Sequence, residues 1–317
     1  MKEFEFLQPK SLEQASKINF KNKFNSILYS GGTDVLGLVK DGVFEYDKMI
    51  NLKSISSLKY INETEDGVRI GALTTLSEIT GNELIKKDFP LLYQAAKEVG
   101  TPQLRNVGTI AGNICQRPRC FYFRGDFHCL RKGGDECFAI SGNNKFHAII
   151  GGGPCYIVHP SDTAVALTAL NAEIIIFSNG KEKTVHVGDF FILPEKDHTK
   201  ENILGPGEII KEIFIPKNNF NHVKYIKIKE RGAWDFAVVS IAVAAKINSN
   251  TISSASIAFG GISPIPFKAG NVEKLIKGKT KKAVLSSNIN YFPEADPMEM
   301  NSFKIHLANN LVKKAFL

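Results

Sequence analysis

Residues 25–42 read NSILYSGGTDVLGLVKDG: an apolar strand run, the turn Ser30-Gly31-Gly32-Thr33-Asp34, then the start of a short helix. Glycine has no Cβ, so successive amides in such a turn can face a ligand without a side chain in the path. That geometry suits a pyrophosphate, although a plain strand-to-helix turn would read the same way. A second turn of this kind occurs at Gly108-Thr109-Ile110-Ala111-Gly112-Asn113. It lacks the G-x-G-x-x-G register of a nicotinamide-binding turn, but its hydroxyl and amide side chains between glycines fit phosphate and ribityl hydroxyls.

Outward from these turns, short strands and helices alternate. EFEFLQP is a strand, Ser11 caps the helical run LEQASKINF, and MINL and VRIGAL are strands. Residues 76–100 have helical periodicity and stop at Gly100. HPSDTAVALTALNAEIIIFS reads as helix then strand, TVHVGDFF continues the strand pattern, and GPGEIIKEIFIP ends a strand at Pro216. Beyond the linker KNNFN the pattern changes. YIKIKER alternates, FAVVSIAVAAKI and TISSASIAFGGI are apolar runs, and NVEKLIKG and SFKIHLANNLVKKAFL read as amphipathic helices. The expected division is therefore a domain over residues 1–216 and a smaller one over 217–317, in an α+β fold.

Length and composition bound the function. The 317 residues, 43% hydrophobic and 23% charged, suit an ordinary globular protein with room for two or three packed units. No apolar run approaches the roughly 18 residues of a membrane span. The opening residues carry no basic segment followed by an apolar one, so a cytoplasmic location is expected, with export only on a partner's signal. The net charge of +8 comes from Lys and Arg spread along the chain, which argues for a solvated basic surface and against nucleic acid.

All five cysteines, Cys115, Cys120, Cys129, Cys137 and Cys155, lie in one window directly after the second turn. Disulfides are disfavoured in a reducing compartment. Zinc knuckles favour close C-x(2–4)-C pairs. Here Cys120, Cys129, Cys137 and Cys155 are separated by eight, seven and seventeen residues, and only Cys115 and Cys120 have knuckle spacing. An insertion of this length without a core of its own still needs a staple.

SGGTDVLG, RIGALTTLSEI, TPQLRNVGTIAGNI and HPSDTAVAL, in this order, resemble the FAD-binding subunit of the xanthine dehydrogenase and carbon monoxide dehydrogenase family of molybdenum hydroxylases. The likeness continues through GEIIKEIFIP and KERGAWDFAVVSIAVA into FGGISPIPFKAGNVEKLIKGK, nearly the whole chain. It implies a fold of the vanillyl-alcohol oxidase (PCMH) type, two subdomains gripping FAD, followed by a small α+β domain. It implies that FAD is held by contacts alone. The amides of Ser30, Gly31, Gly32, Thr33, Asp34 and Val35 would wrap the pyrophosphate, flanked by Leu28 and Tyr29. Gly108, Thr109, Ala111, Gly112 and Asn113, with Val99 and Gly100, would line the other side. Asp162, beside Ser161, would accept from flavin hydroxyls, Lys227 would lie near the isoalloxazine, and Ile210 would also contact the cofactor.

QRPRCFYFR, CLRKGGDEC and NKFHAI carry a finer resemblance, to the aldehyde oxidoreductase and 4-hydroxybenzoyl-CoA reductase flavin subunits with a [4Fe-4S] cluster in such an insertion, here about residues 115–157. It implies Cys120, Cys129, Cys137 and Cys155 as ligands and Cys115 as a packed thiol. Arg117, Arg119, Arg124, Arg131 and Lys132 would offset the cluster's charge or meet an acidic partner. Implied partners are a molybdopterin-binding large subunit, a [2Fe-2S] small subunit and an external electron acceptor. The chain has neither a molybdenum site nor a ferredoxin-type cysteine run of its own. The rival class is a flavin-free, zinc-stapled interaction or nucleic-acid module. A self-sufficient flavin oxidase is a third, distinguished by activity of the isolated chain.

Overall fold

The computed structural model describes residues 2–22 and 25–317 and contains three sheets. The first is parallel: β1 (Glu5–Leu7), β2 (Ser26–Tyr29) and β3 (Lys48–Asn51), with β3 in the middle. The second is antiparallel, built from β4 (Ile61–Glu63), β5 (Gly67–Gly71), β6 (Glu173–Ser178), β7 (Lys181–His186) and β8 (Ile209–Pro216) in the order β4-β5-β8-β6-β7. The third holds β9 (His222–Ile228), β10 (Val239–Asn248), β11 (Thr251–Gly260) and β12 (Phe267–Lys268) in the order β12-β11-β10-β9. The chain thus leaves one sheet at Pro216 and enters another at His222.

The third sheet is apolar on both faces because both are covered. Ala242, Ala244 and Ala258 join the core of the second sheet, while Ile241, Val243 and Phe259 pack against the C-terminal helices. The helix Asp162–Ala169 packs against β10, β11 and the helix Pro90–Lys97 with all eight residues buried, which suits its run of small and apolar residues around Asp162, Thr163 and Thr168.

Residues 76–100 depart from the single helical stretch that periodicity predicts. They form three helices, Leu76–Gly81, Glu83–Asp88 and Pro90–Lys97. Asn82 turns its side-chain oxygen to the Ile85 amide and starts a new helix, and Pro90, lacking an N–H, opens the third. TVHVGDFF likewise splits: β7 ends at His186 and a short helix spans Val187–Phe190.

The cysteine-rich window is irregular apart from the helix Phe121–Arg124 and a 3-10 turn at Leu130–Lys132. It has a small core of Phe123 and Cys129 with Leu38, flanked by Phe44, Cys120 and Phe138, so it rests on the helix that follows the first glycine turn. Its far end is tied to the C-terminal domain by the buried Lys304, whose ammonium donates to the carbonyls of Phe146 (2.8 Å), His147 (2.8 Å) and Gly261 (2.7 Å). Three acceptors use all three ammonium hydrogens, which is what makes this buried lysine tolerable.

Candidate functional site

The two glycine turns meet. A Cβ on Gly31 would lie 2.3 Å from the Val107 carbonyl oxygen and 2.9 Å from Gly108 Cα, closer than side-chain atoms approach backbone. Only glycine at this position lets the first turn touch the backbone at the end of the helix Pro102–Val107. Gly32 adopts φ +73, and a Cβ there would press the Tyr29 ring at 2.6 Å. Thr109 Oγ1 donates to Ser30 Oγ (3.1 Å) and accepts from the Gly112 amide (3.1 Å), and a Cβ on Gly112 would crowd both hydroxyls at 2.9 Å. The third motif joins through Asn113, whose side-chain Oδ1 accepts from Ser161 Oγ and Thr163 Oγ1, each at 2.6 Å.

Beside these turns opens a cleft of about 770 Å³, inside the range of cofactor sites. Every residue that the sequence singled out for the dinucleotide lines it, except Tyr29 and Ser161. Tyr29 instead packs edge-on against Phe6, with ring centroids 5.9 Å apart, and Ser161 caps the helix Asp162–Ala169 by accepting from the Ala164 amide. The sequence reading overlooked the Leu204-Gly205-Pro206 wall and the Trp234–Phe236 loop at the cleft. A signal was present in each: GPGE is a glycine-proline turn, and Trp234 is the chain's one tryptophan.

Asp162 is buried with Lys227 and Tyr225. One carboxylate oxygen accepts from the Tyr225 hydroxyl (2.6 Å), the other from Lys227 Nζ (2.7 Å), and that ammonium also donates to the Glu98 carbonyl (3.1 Å). Burial pushes the Asp162 carboxyl above its ordinary value, and Lys227 and Tyr225 pull against it. Asp162 therefore fixes Lys227 at the cleft, in addition to whatever it accepts from a ligand.

Asp34 lines the cleft, and its carboxylate is taken up by residues of the insertion. It accepts from the Arg117 amide (2.7 Å), from Arg119 and from Arg124 (2.6 Å). Burial alone would raise its carboxyl, but the two guanidinium groups and the amide outweigh it and hold the value below the ordinary range. Arg117 and the fully buried Arg131 share Glu201. The arginines of the window thus engage internal carboxylates. Arg131 alone among them reaches a thiol, donating to Cys155 Sγ at 3.4 Å.

All five cysteines are free thiols. Cys137 lies beside Cys155, and Cys120 lies within electrostatic reach of Cys129 and Cys155. Cys115 packs instead against the core of the second sheet, its thiol pushed up to about 12 by burial. The adjacent Cys137 thiol, aided by Arg131 and opposed by burial, draws the Cys155 thiol below its ordinary value. His147 Nε2 sits 3.3 Å from Cys120 Sγ. Among the described residues no three or more His, Cys, Asp or Glu side chains are gathered closely enough for a single metal ion, a finding that supports neither a zinc site nor a cluster. Ligands of a four-iron cube bind four different irons and stand further apart than donors around one ion. The donor type, all thiol, suits such a cube.

Two glycine turns abutting over a cleft, with Lys227 and the Trp234–Phe236 loop of the C-terminal part closing its wall, define a protein that binds a dinucleotide cofactor. The chain belongs to the family of FAD-binding subunits of molybdenum hydroxylases. Residues 2–218 match the FAD binding domain in molybdopterin dehydrogenase, and residues 224–317 match the CO dehydrogenase flavoprotein C-terminal domain. The aldehyde oxidoreductase FAD-binding subunit PaoB of Escherichia coli is 31% identical over 88% of this chain and 86% of the relative. The glyceraldehyde dehydrogenase medium chain of Sulfolobus acidocaldarius is 29% identical over 99% and 97%. In fold the chain is similar to carbon monoxide dehydrogenase from Hydrogenophaga pseudoflava (TM-score 0.75, 22% identity, 99% of this chain and 96% of that one). It is also similar to quinoline 2-oxidoreductase from Pseudomonas putida (TM-score 0.78, 18% identity, 100% and 97%). The vanillyl-alcohol oxidase type of fold expected from the motifs accords with these neighbours. Among the described residues no helix is long and apolar enough to cross a membrane.

Proposed function

We propose that this oxidoreductase subunit carries FAD in the cleft and a [4Fe-4S] cluster in the insertion, and passes electrons between a [2Fe-2S] partner and an external acceptor. Substrate chemistry would belong to a molybdopterin-binding large subunit. Residues 1–216 would form the flavin domain, with the insertion at about 115–157, and residues 217–317 the C-terminal domain. The observation that carries this reading is the meeting of Gly31 with Val107–Gly108, which builds a backbone-walled cradle that any larger side chain would fill.

Bound FAD supplies a centre that takes up and gives out electrons. The chain's own residues bind and orient it. The amides of Ser30 to Val35 hold the pyrophosphate from one side, and Thr109, Gly112 and Asn113 from the other. Lys227, held by Asp162 and the Glu98 carbonyl, presents a fixed positive charge at the cleft, which favours any negative charge that develops beside it. Cys120, Cys129, Cys137 and Cys155 would hold the cluster, with Arg131 donating to the Cys155 sulfur and so favouring its reduced form.

The test is an absorption spectrum with iron, sulfide and zinc analysis of protein made and purified without oxygen. Flavin bands together with about four irons per chain are expected. A colourless protein containing zinc would replace this reading with the zinc-stapled module, and turnover by the isolated chain would favour a self-sufficient oxidase.

A further inference from the structure

Four buried side-chain polar atoms among the described residues lack a hydrogen-bond partner: Arg117 Nε, His147 Nδ1, His159 Nε2 and Ser240 Oγ. Arg117 Nε is accounted for by Glu201, 2.9 Å away. The other three residues come from the insertion, the segment before the helix Asp162–Ala169, and β10, yet all line one cavity of about 160 Å³. Both histidines are 4% exposed and Ser240 is 1%. The carbonyls of Asn144 and Ile114 lie near the two rings without meeting hydrogen-bond geometry. His159 Nδ1 accepts from the Ser161 amide at 3.3 Å, so its proton is on Nε2, a donor with nothing in the protein to receive it.

Leaving three such groups dry would forfeit the hydration each of them has in the unfolded chain, with no hydrogen bond to replace it. The cavity has room for several water molecules at about 30 Å³ apiece, and waters that bridge buried polar groups remove that cost. We infer that this chamber binds a small cluster of ordered waters, anchored by His147 Nδ1, His159 Nε2 and Ser240 Oγ.

The chamber adjoins the cleft, since Arg119, Pro160, Asp162, Asp235 and Phe236 line both. Ser240 Oγ lies close to the Tyr225 hydroxyl, which donates to Asp162, and His147 Nε2 contacts Cys120. The waters therefore complete a hydrogen-bonded connection from the Asp162–Lys227 pair to the cysteine pocket. Hydration itself is independent of the function proposed above. The connection as a link between two cofactors rests on that reading.

The experiment is a crystal structure of the full chain at a resolution that places solvent, with a second crystal pressurised with xenon, which enters dry apolar cavities of this size. Solvent peaks within hydrogen-bonding distance of both histidine nitrogens, and no xenon in the chamber, are expected. A chamber free of solvent, one that takes up xenon, or one closed by its own side chains overturns the inference. The flavin content of the same crystals reports separately on the cofactor reading.

Discussion

Arg124 Nη2 donates to Asp34 Oδ1 at 2.6 Å, so one ion pair ties the first glycine turn to the cysteine-rich insertion. Arg119 joins on the same oxygen and the Arg117 amide on the other. Any movement of the insertion is thereby transmitted to the turn proposed to hold the pyrophosphate. The turn and the insertion are mechanically one structure.

Asp34→Asn should expose the importance of this tie. Removing the charge leaves Arg119 and Arg124 part-buried without a full counter-charge, a loss of about 3 kcal/mol, the lower end for breaking a buried pair. The Asp34 carboxyl is held below its ordinary value in the folded state. Its contribution is thus present at neutral pH and is lost as pH falls through the folded value, below about pH 4. Melting curves of both proteins from pH 3 to 8 check this: the gap should close on acidification, and a constant gap would refute the ionic role.

The glycines give a graded series. Gly31→Ala drives a Cβ into the Val107 carbonyl, forcing the turns apart, and should abolish FAD retention while destabilising the fold. Gly32→Val, with φ +73 and the Tyr29 ring in the way, should also lose FAD. Gly37, two residues into the following helix with nothing within 4 Å, is the control. Gly37→Ala should keep FAD and gain roughly 0.5–1 kcal/mol from better helix propensity. Flavin-to-protein ratios after gel filtration, with melting temperatures, separate the three. Normal FAD content in Gly31→Ala would mean that the cradle lies elsewhere.

Ser substitutions at Cys120, Cys129, Cys137 and Cys155 should each bring iron well below four per chain, since a hard hydroxyl is a poor replacement for thiolate at iron. Cys115→Ser should retain nearly full iron, because that thiol is packed against the core of the second sheet. Iron and sulfide assays with electron paramagnetic resonance of the reduced variants decide. Loss of the cluster in Cys115→Ser with retention in Cys155→Ser would exchange those two roles.

The site was legible in sequence where backbone chemistry dictates it. Gly31, Gly32, Gly108 and Gly112 announce close approach, and HPSDTAVALTALNAEIIIFS reads as the helix and strand that the structure contains. What composition could not tell is direction. Asp34 reads as part of a phosphate turn, yet its carboxylate serves the insertion, because its partners Arg119 and Arg124 lie more than eighty residues away in sequence. The arginines read as a screen for an anionic cluster or partner, and the fold spends most of them on Asp34 and Glu201. The cuts in residues 76–100 depended on one Asn side chain and one Pro, local signals that periodicity averages away.

Trp234 offers a reporter of the cleft. It is the chain's only tryptophan, it is 62% exposed, and it lines the same cleft as Gly32 and Lys227. Its backbone sits at φ 52, a strained setting for a bulky residue, so the loop is held in place by more than local preference. The Arg231 guanidinium lies 5.7 Å from its ring and donates to its carbonyl at 3.0 Å, which supplies part of that hold. Adding FAD to the flavin-depleted chain should quench tryptophan emission strongly and saturably, since an isoalloxazine in the cleft would accept its excitation. The flavin-depleted Trp234→Phe chain should bind FAD with no such signal, as judged by flavin retained on the protein. Saturable FAD binding to the wild-type chain with unchanged Trp234 emission would place the flavin ring at the far end of the cleft, away from Lys227 and this loop.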